Sequence, residues 1–135
     1  MVQPRWDLYE AALLLEHCIK VERGEMSRRE AVECVSKTLR ERAEKHGLKI
    51  DGTYRNKSGT SMQMESIRNC YLKQDSSLPV SKFFHEIVDI YNQDRDEFQW
   101  ILNNEEVVER PVSKGVYTKQ FERTFSSWVK RVFPQ

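Results

Sequence analysis

Apolar side chains recur along this chain at helical spacing, and no stretch alternates in the way a half-buried strand requires. Leu8, Ala11, Ala12, Leu15, Cys18 and Ile19 define a first helix from Trp6 to about Glu22, with Asp7 in its first turn, Glu10, Glu16 and Lys20 on other faces, and Gly24 ending it. A second helix runs between a capping box, Ser27 with Glu30, and a C′ glycine, Gly47. Its stripe is Ala31, Val35, Thr38, Leu39 and Arg42. The short intervening loop predicts an antiparallel hairpin. A third helix spans about Ser61 to Leu72, with Met64, Ile67 and Tyr71 on one face. Ser81 opens a fourth around Phe83, Phe84, Ile87, Val88 and Tyr91, and Asp94 a short fifth around Phe98, Ile101 and Leu102.

Residues 103–117 contain Pro111 and Gly115 and carry no helical period, so they read as a linker or a surface-hugging loop. Thr118 starts a final helix, 118–133, whose Phe121, Phe125, Trp128, Val129 and Val132 share a face. That aromatic stripe reads as core, and a docking helix for a partner or a membrane surface is the alternative. The predicted architecture is all-α: one compact bundle of five to six helices without a sheet, residues 1–102 forming the core module. Leu15, Val35, Leu39, Ile67, Phe84, Ile87 and Trp128 are the expected interior.

At 135 residues the chain is one domain's worth. No apolar run approaches the ~20 residues of a membrane span, and Met1 to Asp7 lack the order of a signal peptide. A cytoplasmic location is the expectation. Cys18, Cys34 and Cys70 are odd in number and widely spaced, which predicts buried free thiols. Net charge is +1, but residues 1–109 hold 16 basic and 20 acidic side chains (16 − 20 = −4), and 110–135 hold six and one (6 − 1 = +5). Near neutrality argues against a protein that coats nucleic acid by basicity alone.

Chemistry is sparse. His17, His46 and His85 fall on three helices without zinc spacing, and neither a phosphate-binding glycine loop nor a nucleophile elbow is present. We therefore expect no catalytic residues, no metal site, no cofactor and no enzyme activity. The informative stretch is Tyr54 to Met64. Ser58 and Gly59 suggest a turn with positive φ at Gly59, after which Thr60 would cap the third helix with Gln63. Arg55, Asn56 and Lys57 from the loop, with Gln63, Arg68 and Asn69 from the helix, form a candidate nucleic-acid surface, since Arg, Asn and Gln suit base edges and phosphates. The competing structural reading has Tyr54 packing, Arg55 pairing with an acid on a neighbouring helix, Asn56 capping a turn and Met62 filling a gap. Residue types favour it for Asn56 and Met62, and leave Arg55, Lys57 and Arg68 open.

The run Tyr54-Arg55-Asn56-x-x-Gly59-x-x-Met62 resembles a helical module on the N-terminal side of bacterial HNH-type endonucleases and related restriction or phage-defence proteins. There an aromatic-Arg-Asn-x-x-Gly-x-x-Met/Leu pattern recurs. The likeness covers Trp6 to Leu102, with Arg55, Asn56, Gly59, Met62 and Gln63 matching by position. It implies a DNA-handling accessory module of a larger bacterial protein. No His-Asn-His constellation is present, so cleavage is not implied. Two expectations follow: a DNA-binding module (DNA before RNA), or a module that docks a larger protein.

Overall fold

The computed structural model describes residues 5–73 and 82–109. They form five helices, α1 (Leu8–Glu22), α2 (Arg28–Lys45), α3 (Lys57–Lys73), α4 (Lys82–Gln93) and α5 (Arg95–Leu102), and no strand. The predicted helix 118–133, with Trp128, and the Ser81 cap lie outside the described residues.

The bundle is built around α1. Eleven of its fifteen residues are buried, which marks a helix enclosed on all sides rather than an amphipathic one lying on a core. It touches each of the other four helices. Ala11 and Ala12 let neighbours approach closely, while Leu8, Leu14 and Leu15 fill the space between them. Val35 and Leu39 of α2, Met64 and Ile67 of α3, Phe84, Ile87 and Ile90 of α4, and Ile101 of α5 close the core. Every described residue of the predicted interior is buried. Edge-to-face pairs, Trp6 with Phe84 at 6.2 Å and Tyr91 with Phe98 at 5.0 Å, join the elements.

The N-terminus of α1 shows how such a buried helix end is kept satisfied. Asp7 caps it, accepting from Glu10 N at 2.9 Å, and Asp7 N donates in return to Glu10 Oε1 at 2.9 Å. Ala11 N donates to the Asp7 carbonyl. Leu8 N and Tyr9 N, the remaining donors of the first turn, reach the carbonyls of Val108 (3.1 Å) and Val107 (3.2 Å). Within the segment expected to be a linker or surface loop, residues 103–109 thus lie against the helix, with Val107 and Val108 buried.

Boundaries follow local chemistry. Ser27 Oγ accepts from Glu30 N at 3.1 Å, and Asp94 caps α5 through Glu97 N at 3.0 Å. Gly24 and Gly47 end α1 and α2 at φ 74° and 83°. The start of α3 differs from the sequence expectation. Asn56, not Thr60, is the cap: its Oδ1 accepts from Gly59 N at 2.8 Å and its carbonyl from Thr60 N at 2.9 Å. The helix begins at Lys57, four residues early, and Thr60 is buried inside it. The thiols divide too, with Cys18 and Cys70 buried and Cys34 exposed on α2.

Candidate functional site

The stretch 54–60 is a structural joint. Among the described residues Arg55 is the one non-glycine with positive φ, 46°. Positive φ therefore falls on Arg55 rather than on Gly59, and costs roughly 1–2 kcal/mol there. What holds it is visible. The guanidinium is buried and forks onto Glu10, Nε to Oε2 at 2.7 Å and Nη2 to Oε1 at 3.1 Å. Its centre lies over the rings of Trp6 and Tyr54, 4.8 and 4.7 Å from their centroids. The Arg55 carbonyl accepts from Ser36 Oγ at 2.6 Å and from Thr60 Oγ1 at 3.3 Å. Burial works against the Arg55 charge, but the Glu10 hydrogen bonds and charge more than offset it, so its pKa stands above the ordinary value.

A second arginine completes the joint. Arg42, buried on α2, donates to Asp7 Oδ2 at 2.9 Å and to the Glu105 carbonyl at 2.6 Å, and lies over the Tyr9 ring at 4.8 Å. Two carboxylates from the N-terminus of α1 thus face two arginines, one from α2 and one from the loop before α3. With Asp7 ionised the charges balance, and each guanidinium is hydrogen-bonded. Burial pushes the Asp7 carboxyl up to about 7, with Glu10 adding to the rise and Arg42 opposing it.

Arg55 is therefore removed from the surface contact set, because its planar fork is committed to Glu10. Asn56 is removed likewise by its cap. Lys57 is exposed, with its ammonium 3.7 Å from Glu33 of α2. Arg68 donates to Glu22 of α1 at 2.6 Å and lies 3.7 Å from Glu65. Gln63 and Asn69 are half-buried, and among the described residues their side chains have no hydrogen-bond partner. At ~100° per residue, Lys57 and Arg68 share one edge of α3, while Gln63 lies about 140° from Arg68. The structure does not gather these side chains on one face.

The outer stripe of α3 is Met62, Glu65, Asn69 and Leu72, at i, i+3, i+7 and i+10. Met62 is 69% exposed and Leu72 48%, the two large apolar side chains so exposed among the described residues. Met62 fills no gap. Sequence reasoning missed Glu10, Arg42, Ser36 and Trp6 as the partners that hold the joint. A readable signal existed for Glu10: it follows Asp7 by three residues, as a capping box does, and sits inside an otherwise apolar run.

Elsewhere, His17 Nδ1 lies 2.8 Å from the Leu13 carbonyl, and His85 Nδ1 3.8 Å from Cys70 Sγ. Burial pushes the Cys70 thiol up, so its neighbour does not make it a ready nucleophile. Among the described residues no group of three His, Cys, Asp or Glu side chains could hold a metal ion. No described helix is long and apolar enough to cross a membrane. In comparison with protein-family models, curated proteins and solved structures, the chain matches none of them.

Proposed function

We propose that this chain is a binding module without catalysis of its own, and that the outer stripe of α3 docks a protein partner. The observation that carries the reading is the pair Met62 and Leu72, exposed about 15 Å apart along one helix with Glu65 and Asn69 between them. Methionine adapts to a partner's shape, and apolar anchors within a polar surround suit protein recognition. The cations once assigned to phosphate, Lys57 and Arg68, already face carboxylates. The resemblance to modules beside HNH-type nucleases supports placing the partner in a larger bacterial restriction or phage-defence protein. It supports this through the fold, since Tyr54, Arg55 and Asn56 serve the joint.

A DNA contact is the second reading, favoured by the six basic residues against one acidic in 110–135 and by the unengaged Gln63 and Asn69. A photoreactive phenylalanine analogue at position 62, irradiated in cells, separates the two. A discrete protein adduct at 62, missing when the analogue replaces exposed Lys49, is the expected outcome. Nucleic-acid adducts, together with salt-sensitive binding of duplex DNA by the purified protein, would overturn the protein reading.

A further inference from the structure

Away from α3, the C-terminal end of α1 meets the junction of α4 and α5 and leaves a notch of about 250 Å³. Ile19, Tyr91 and Phe98 form its apolar wall, and Lys20, Arg23 and Arg95 line it with Glu16 and Glu25. Cations elsewhere are mostly engaged: Arg28, Arg42, Arg55 and Arg68 each donate to a carboxylate at 2.6–2.9 Å. Here they are not. Among the described residues the Lys20 ammonium has no hydrogen-bond or ion-pair partner. Arg23 has a long contact to Tyr91 Oη, 3.4 Å, and stands 4.0 Å from Glu25.

Arg95 is the most organised of the three. Its guanidinium lies over the Tyr91 ring, 3.7 Å from the centroid, while Nε donates to the Tyr91 carbonyl at 2.5 Å. Those two contacts fix the plane of the group, and among the described residues neither Nη atom has an acceptor. A planar fork held in this way is prepaid for bidentate binding of carboxylate or phosphate. The lining carries three positive and two negative side chains, a balance of +1 (3 − 2), within a described region that is acidic overall. Of the further acids next to these cations in sequence, Glu22 accepts from Arg68, Asp94 accepts from Glu97 N as the cap of α5, and Asp96 is exposed.

We propose that this notch binds an oxyanion, the phosphate or carboxylate group of a small molecule, with Arg95 as the fork and Arg23 and Lys20 closing on it. The volume sets the class. Pockets for whole drug-sized ligands run to roughly 300–1,000 Å³, so this one takes an anionic group and a few attached atoms. Tyr91 and Phe98 beside the fork favour a flat apolar attachment over a bare ion. The site is separate from the α3 stripe and does not depend on which partner that stripe takes.

Titration of the full chain with inorganic phosphate, acetate and phenyl phosphate, followed by amide NMR at constant ionic strength, tests the proposal. Saturable shifts confined to Lys20, Arg23, Arg95 and Gln99 are expected, with a dissociation constant of about 1 mM or tighter for phenyl phosphate. The order phenyl phosphate, phosphate, acetate identifies a phosphate site, and acetate ahead of phosphate a carboxylate site. Arg95→Gln should weaken binding about tenfold or more, and Glu25→Gln should tighten it by removing a like charge. Shifts that spread over the surface without saturating, or an Arg95→Gln protein that binds as wild type, overturn the site. Should Arg95→Gln lose its fold, Glu25→Gln decides: tighter binding supports the notch, unchanged binding rejects it.

Discussion

Asp7 does three jobs with one carboxyl: it caps α1, accepts from Arg42 and stands beside Glu10. Its pKa is raised, so between the ordinary carboxylate range and about 7 the folded state holds a proton that the unfolded chain has released. This group's contribution to stability falls as pH rises through that window, and the penalty is fully present above 7. Unfolding by urea at several pH values should show wild type losing stability relative to Asp7→Asn between about pH 4 and 7. A difference that is flat, or that grows the other way, would mean Arg42 holds the carboxylate ionised throughout. At this scale the sequence was only partly legible. Arg55 as partner of an acid on another helix was among the open readings, but which acid, and the positive φ it brings, depend on contacts 45 positions apart.

At the scale of elements, helix ends with strong local chemistry were readable: Ser27, Gly47 and Asp94 stand where capping rules put them. The start of α3 was misread because two caps competed, Asn56 with Gly59 and Thr60 with Gln63. Tertiary contacts decided between them, since Thr60 is drawn inward onto the Arg55 carbonyl and cannot cap from there. The role of Gly59 changes with it. A Cβ there would lie 3.1 Å from Asn56 Oδ1, crowding the cap without straining the backbone. Gly59→Ala also gains helix propensity, so its net effect should stay within about 1 kcal/mol of zero. Asn56→Ala should cost about 1 kcal/mol by losing the cap. Thermal melts of the two variants give the ranking, and a larger loss at Gly59 would restore the glycine as the organising residue.

For the whole molecule, the all-α class and the described core followed from periodicity, which long helices display clearly. The hub was less visible. A buried α1 differs from an amphipathic one in the pairing of Glu10 with Arg55 and the burial of His17, and neither can be read from the helix's own spacing. Packing around α1 then turns an apparent contact motif into a joint, leaving the α3 stripe as the surface proposed for partners. Arg55 and Glu10 therefore hold α1 to the loop before α3. A double-mutant cycle with Glu10→Gln and Arg55→Gln, followed by urea unfolding, tests it most directly. Each single change should cost ~3 kcal/mol or more, because it strands a buried charge, and the double variant should cost about 2 kcal/mol less than the sum. An Arg55→Gln loss within ~0.5 kcal/mol, additive with Glu10→Gln, would contradict the account and return Arg55 to the surface.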